Sequence, residues 1–443
     1  MNTSSFHYSR SIPIRHTVDI LVAGGGPAGV AAALAARRQG ARVHLIEEQG
    51  CLGGMGTAGM VPAFMPFGDG VHFLAEGVGR QVYTALKKMN APMPLNNPLG
   101  CVSIHVESLK RVYDEMLLKS GCSFTFHTQL IDVRKKGNRL THAICAAKSG
   151  VFAIEAKVFV DGTGDGDLAA WGGAPFEKGD KNGRMMPGTL CSIWSDLDWK
   201  AIAKNKVPQS SQLKKAFADG VFTVKDDHLP GIFHIGETTG GGNIGHTFGV
   251  DNTDEVSITK ALLWGRKSLS EYQRYYQHYL KGYEKMNLVT TGALLGIRET
   301  RRIMGDYVLG LEDFKKRAVF EDEIGRFAYP IDIHPTRPGK KTYARFLQEY
   351  IDWRYKPGES YGIPYRILTP RRLDNVLVAG RCVSSDRYIQ GSIRVMPGCY
   401  ITGQAAGIAA AMAAQSGAST HDIPVKELQK RLKKFGAYLP NDH

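Results

Sequence analysis

The feature that most restricts how this chain can fold lies near its start. Val18–Val22 (VDILV) reads as a buried parallel strand and runs straight into Gly24-Gly25-Gly26-Pro27-Ala28-Gly29, which fits G-x-G-x-x-G. An alanine-rich segment of helical character follows from Pro27 to about Gln39, with Gly40 as its stop, and a second strand, Arg42–Ile46, ends in Glu47 and Glu48. Each part has a physical task. Gly24 permits the tight turn, Gly26 lets backbone approach a pyrophosphate, and Gly29 lets the helix pack closely on the strand. The helix start offers unpaired N–H groups and partial positive charge to phosphates. Glu47, at the tip of the second strand, is expected to accept hydrogen bonds from ribose hydroxyls, and a carboxylate there disfavours a 2′-phosphate. The order strand, glycine turn, helix, strand, acid predicts a parallel α/β unit that holds a dinucleotide without that phosphate.

Three further glycine-bearing segments are remote in sequence. Gly53 and Gly54 lie in Gln49-Gly50-Cys51-Leu52-Gly53-Gly54-Met55-Gly56-Thr57, shortly after the acid pair. An apolar strand ending at Val158–Val160 leads into Asp161-Gly162-Thr163-Gly164-Asp165-Gly166-Asp167. Asn375–Ala379 (NVLVA) is another buried strand, ending at Gly380-Arg381, and a helix from about Pro397 through Ala414 follows Arg394-Val395-Met396. Its small residues Gly403, Ala405, Ala406 and Gly407 suit close packing. Between these segments, Ser108–Lys119 has the spacing of an amphipathic helix and Cys122–Phe126 that of a strand.

Taken together, these segments resemble the FAD-dependent oxidoreductase family, close to the glutathione-reductase-like and fumarate-reductase-like flavoproteins. The phrases that carry the likeness are LGGMGTAG (52–59), DGTGDGDLA (161–169), GVDNTD (249–254), GIRETRRIMGDY (296–307), VAGRCVSS (378–385) and GSIRVMPGCYITGQAAG (391–407). The resemblance implies a Rossmann-like FAD-binding domain, a parallel sheet with helices and a small β-meander, interrupted by an α+β substrate or cap domain. The expected division is 15–175 with 360–420 for FAD, 176–359 for the inserted domain with a β-sheet facing the flavin, and 421–443 for a C-terminal helix packed on the FAD domain. It also implies FAD contacts at Gly24, Gly26, Pro27, Ala28, Gly29, Glu47, Glu48, Gly53, Gly54, Thr57, Leu130, Asp161, Gly162, Thr163, Gly164, Asp165, Gly380, Arg381, Arg394, Val395 and Met396. Leu130 falls where relatives hold adenine with backbone. Arg381 stands where many relatives have an acid for the ribityl hydroxyls, so its side chain departs from the wider pattern. The helix after Val395 is expected to aim its N-terminus at the pyrimidine edge of the flavin.

Composition limits the remaining possibilities. With 43 % hydrophobic and 22 % charged residues, the 443-residue chain has the balance of a globular protein with two or three packed units. Its polar start, Met1–Arg10, has no signal-peptide core, and Ile401–Ala414 is too interrupted to span a bilayer, so the cytoplasm is the expected compartment. Seven cysteines without a Cys-x-x-Cys pair suggest buried thiols, and no metal site is expected from them. The formal charge of +14 is dispersed except at Arg298–Arg302 and Lys426–Lys434. No nucleic-acid motif accompanies it, so nucleic acid is not an expected partner.

A second G-x-G-x-x-G, Gly240–Gly245, lacks a following helix and is expected to be a glycine-rich loop near the flavin rather than another nucleotide site. Candidate catalytic residues are His246 for proton movement, Arg298 and Arg302 flanking Glu299 in a helix, and Arg394 just before the flavin helix. The arginines would suit an anionic small-molecule substrate, or they and Glu299 would pair among themselves and brace the domain junction. The expected reaction is hydride exchange between a small organic substrate and flavin, with a separate electron donor or acceptor. The alternatives are an FAD-dependent monooxygenase and a non-catalytic FAD-containing module that binds RNA or another partner.

Overall fold

The computed structural model describes residues 6–89, 96–228, 231–339, 341–344, 348 and 353–441; the first five residues of the polar start lie outside these. Its main sheet begins with β1, Ile14–Ala23, whose last four residues are fully buried, as a strand covered on both faces must be. The glycine turn feeds α1, Pro27–Arg38, and the chain returns in β2, Val43–Ile46, parallel to β1 with Ile20 opposite Val43. The helix α2, Val106–Ser120, follows further on, and Gly121 ends it in the left-handed conformation at φ +69°. β3, Ser123–Thr125, pairs parallel with β2. A meander of β4 (Thr128–Lys136), β5 (Arg139–Ala147) and β6 (Gly150–Asp161) comes next. The first part of β6 pairs antiparallel with β5, while Ala153–Asp161 pairs parallel with β1. β7, Val376–Val378, closes the sheet by pairing parallel with Phe159–Asp161. The strand order is β3-β2-β1-β6-β5-β4, with β7 also on β6.

The long helix α3, Met396–Ser416, is buried at every residue from Met396 to Ala414. It therefore has no polar face, as expected of a helix enclosed on all sides. Two glycines let it press against α1: an added Cβ at Gly403 would lie 2.2 Å from the Ala28 carbonyl oxygen, and one at Gly407 would lie 2.1 Å from that of Ala32. The closing helix α4, Val425–Phe435, buries Leu428, Leu432 and Phe435 in the same core and leaves Lys426, Lys430, Lys433 and Lys434 exposed, so the second basic cluster is a solvated face.

Residues of 190–297 gather around a second hydrophobic cluster containing Trp194, Tyr272, Tyr275 and Tyr276. It comprises the long helix Glu255–Tyr279 and a four-stranded antiparallel sheet in the order Ile232–His234, Gly240–Gly242, Ser192–Ser195, Asn287–Thr291. Ile303, Leu309, Phe314, Ile324 and Phe327 pack instead in the first cluster. Two sequence expectations need correction. Gly240–Gly242 is a central strand, not a loop; its residues are glycine because Leu197, Ile232, Pro62 and Trp194 occupy the space where side chains would stand. The segment around Arg302 is a strand, not a helix: Arg301–Ile303 pairs antiparallel with Phe176–Lys178, and its charged side chains reach partners on other segments. Among the described residues no helix is long and apolar enough to cross a membrane, and all seven cysteines are free of disulfides.

Candidate active site

A cleft of about 560 Å³ runs along the carboxyl ends of β1, β6 and β7. Four remote chain segments form it: Gly24–Ala28, Gly54–Met55, Gly162–Asp165 and Ala379–Arg381. Glycine is required where these backbones cross. A Cβ on Gly24 (φ +92°) would lie 2.6 Å from the Gly162 carbonyl oxygen, and one on Gly29 would lie 1.8 Å from that of Gly24. Gly26 is different, because a Cβ there would meet nothing within 4 Å. This leaves room directly before the N-terminus of α1 for a pyrophosphate held by helix N–H groups. Open space at the helix start, an acid at the tip of β2 and an elongated cleft fit an extended dinucleotide cofactor such as FAD.

Glu47 lines this cleft and also fixes its floor. One carboxylate oxygen accepts from Gly25 N at 2.7 Å and the other from Gln49 N at 2.8 Å. Burial raises its pKa against the effect of those hydrogen bonds. Glu48 is exposed beside it, and Thr128, Gln129 and Leu130 form the wall of that end. On the opposite wall, Asp161 is fully buried and structural: it accepts from the Thr163 amide and hydroxyl and from Ala169 N at 2.9 Å. Asp167 is pushed up to about 6, by burial first and then by Asp165 and Asp161, against the opposing effect of Arg301 at 2.6 Å.

Several residues predicted to touch the cofactor support the cleft from behind. Gly29 permits the crossing just described, Gly53 (φ +104°) sits against Thr57 and Tyr113, the Thr57 hydroxyl donates to the Leu52 carbonyl, and Val395 is the N-cap of α3. Arg381 lines the cleft, but its guanidinium donates to Asp165, to the Gly164 carbonyl at 3.0 Å and to the Ile297 carbonyl at 3.3 Å. Sequence reasoning missed the contribution of the inserted unit. Asn252–Glu255, Ile258 and Ala293–Leu295 also line the cleft. The signal was available in GVDNTD, because Asp254 is the N-cap of the long helix, accepting from Ser257 N at 3.1 Å. What could not be read was that Asn252 turns to Asp165, at 2.7 Å.

The candidate catalytic residues divide. Arg394 lines the cleft beside Met396; its Nη2 donates to both the carbonyl and the side chain of Asp332 at 3.0 Å, and its Nε has no hydrogen-bond partner. Arg298 is buried behind, donating to the Pro187 carbonyl and the Thr189 hydroxyl, both at 2.9 Å. It does not pair with Glu299. His246 is buried too, with Nδ1 2.7 Å from Asp226, off-line for a hydrogen bond, and Nε2 2.9 Å from His334. Burial lowers its pKa against the pull of Asp226. Arg302 is not brought to the cleft. Its guanidinium is engaged by Glu299 at 2.8 Å, the Gly179 carbonyl at 3.2 Å and Glu177 at 3.3 Å.

Residues 19–432 match the family model described as FAD dependent oxidoreductase. No protein with a curated description matches the chain. Among solved structures, the chain is similar to a geranylgeranyl bacteriochlorophyll reductase-like protein from Thermoplasma acidophilum, at 12% identity and a TM-score of 0.49, covering 95% of this chain and 84% of that one. It is also similar to p-nitrophenol 4-monooxygenase from Pseudomonas putida DLL-E4, at 12% identity and 0.43, covering 95% and 86%. A third similar structure is a flavin-dependent brominase, at 12% identity and 0.46, covering 94% and 84%.

Proposed function

The chain belongs to the FAD dependent oxidoreductase family, and from that premise we propose that it exchanges hydride between a small anionic organic substrate and its FAD. The observation that carries this reading is the composition of one end of the cleft. Arg394 and the start of α3, at Met396 and Cys399, face the apolar wall of Ala293–Leu295 across it. The bound FAD supplies the ring that takes or returns the hydride. At this end, Arg394 and the unpaired N–H groups of α3 favour negative charge, and the apolar wall keeps water out. Asp332 holds Nη2 and orients the guanidinium, whose positive charge lies on the cleft lining.

The remaining roles follow from position. The glycine turn, Glu47, Glu48 and Leu130 hold the pyrophosphate and adenosine half, and Thr163–Asp165 with Gly380 line the middle. Arg298 adds positive charge behind Arg394, and Arg302 braces the junction through Glu299. We take the substrate unit to be the part built on the second hydrophobic cluster, 190–297, narrower than the expected 176–359. A separate electron donor or acceptor completes the cycle.

The test is anaerobic mixing of the FAD-loaded protein with a panel of small carboxylic acids, hydroxy acids and sugars, followed by absorbance of the oxidised flavin. Bleaching by one of these donors, with the substrate recovered oxidised by two electrons, is the expected result. A panel that fails throughout, together with insertion of labelled oxygen into a product in the presence of air and a reductant, overturns it in favour of monooxygenation.

A further inference from the structure

Three histidines that no sequence motif connects meet beside the inserted unit. The nearest ring nitrogens of His228, His246 and His334 all lie within 4.8 Å of one another. His246 Nε2 and His334 Nδ1 are 2.9 Å apart. The remaining nitrogen of each faces a carboxylate: His246 Nδ1 lies 2.7 Å from Asp226, and His334 Nε2 lies 3.3 Å from Asp332. An imidazole nitrogen that donates its proton to a carboxylate leaves the other nitrogen as a lone pair, and a small turn of the His246 ring brings its Nδ1 into line with Asp226. Without an ion, His246 and His334 share a hydrogen bond across 2.9 Å; with each ring protonated on its carboxylate side, both inner nitrogens would be lone pairs placed to ligate one cation. His228 lies flat on His246, with ring centroids 4.8 Å apart and planes 7° from parallel, and both of its ring nitrogens are buried without a hydrogen-bond partner.

We propose that His228, His246 and His334 form a binding site for one divalent transition metal of the zinc class, with Asp226 and Asp332 orienting two of the three imidazoles. Three neutral imidazoles are a donor set that suits zinc or cobalt, and a carboxylate behind a ligating histidine is the usual partner that fixes its tautomer. With metal–nitrogen bonds of roughly 2.0–2.1 Å, tetrahedral geometry sets ligand nitrogens about 3.3 Å apart. The 2.9 Å His246–His334 contact must open slightly and the His228 ring must turn out of its stack on His246 for the three lone pairs to converge on one ion. A fourth position remains for water or an oxygen of a ligand. Asp332 also accepts from Arg394, which lines the FAD cleft, so the ion stands one carboxylate away from the end where the reaction is proposed to occur. The metal proposal does not depend on the direction or substrate of that reaction.

The experiment uses the full FAD-loaded chain without an affinity tag, stripped with a chelator, dialysed and titrated with cobalt(II). The expected result is one cobalt per chain, with the intense visible d–d bands of a four-coordinate ion and no change in bound FAD. His228→Ala and His334→Ala should each weaken cobalt binding at least 100-fold, and Asp226→Asn by about 10–100-fold. Wild-type protein that takes up no stoichiometric cobalt overturns the proposal without reference to any variant. So does binding that is unaltered in a His228→Ala protein whose FAD content and melting temperature match the wild type.

Discussion

Arg381 donates to the carboxylate of Asp165 at the FAD cleft, and that one carboxylate gathers four chain segments. Asp165 also accepts the Thr300 hydroxyl at 2.7 Å and the Asn252 amide at 2.7 Å, so its own loop, the inserted unit, the segment leading into Arg301–Ile303 and the strand end at Gly380 converge on it. Both side chains of the ion pair are nearly buried. Removing one partner of such a pair leaves an uncompensated charge and costs about 3–5 kcal/mol. Asp165→Ala is therefore expected to lower unfolding stability by that amount in urea titrations, with loss of FAD. Arg381→Lys keeps the charge but loses the fork that reaches Gly164 and Ile297, so it should fall between the two. A stability loss below about 1 kcal/mol for Asp165→Ala, within the range of an exposed pair, would show that the junction is held elsewhere.

Glu47 offers a second test. Its carboxylate holds the Gly25 and Gln49 amides, so it shapes the glycine turn as well as facing the cleft. Each charge-assisted hydrogen bond is worth about 1.5–3 kcal/mol. Glu47→Ala should weaken FAD binding by at least tenfold in a flavin fluorescence titration, and Glu47→Gln, which keeps one acceptor, by less. Equal affinity in all three proteins contradicts the assignment.

The contact of α1 with α3 depends on the absence of two side chains. Alanine at Gly407 gains about 1 kcal/mol of helix propensity, but its Cβ would stand 2.1 Å from the Ala32 carbonyl oxygen, and neither backbone can yield easily. Overpacking of this kind costs about 1–3 kcal/mol or more. Gly407→Ala is expected to be destabilising overall and, because it displaces α1, to reduce FAD content. A melting temperature above that of the wild type would refute the close packing.

Asp167 sets a pH dependence. Its pKa is about 6 in the folded chain against an ordinary 3.8, so between these values the folded state holds more protons than the unfolded state. Stability from this group is therefore greatest below about pH 4, declines as pH rises to about 6, and is level above that. Comparison of wild type with Asp167→Asn across this window should isolate the slope, which the variant lacks. Parallel melting curves for the two proteins would remove Asp167 as its source.

The legible parts of the fold were those in which one local rule sufficed. The glycine turn, both strands flanking α1 and the glycine-bearing helix before Gly417 follow from apolar periodicity and the need for bare backbone, which are properties of short segments, whereas the meander followed only from the family resemblance. Arg301–Ile303 was read as a helix because charges three and four apart suit one. Its strand form follows from pairing with Phe176–Lys178, more than a hundred residues earlier in the chain. Gly240–Gly242 matched a turn motif, yet the bulk of Trp194, Leu197 and Pro62 makes it a strand in the middle of a sheet.

By itself the sequence determined that a parallel α/β unit with a glycine turn would form at the end of β1, since a tight turn and close backbone approach exclude side chains. Only the tertiary structure decided where the charges went: Arg302 to Glu299, Arg381 to Asp165, and His228, His246 and His334 to one another. The need for a bare backbone shows in the sequence as glycine whatever segment comes to lie against it. Compensation of a buried charge or lone pair depends on which distant segments arrive beside it, and nothing local encodes that.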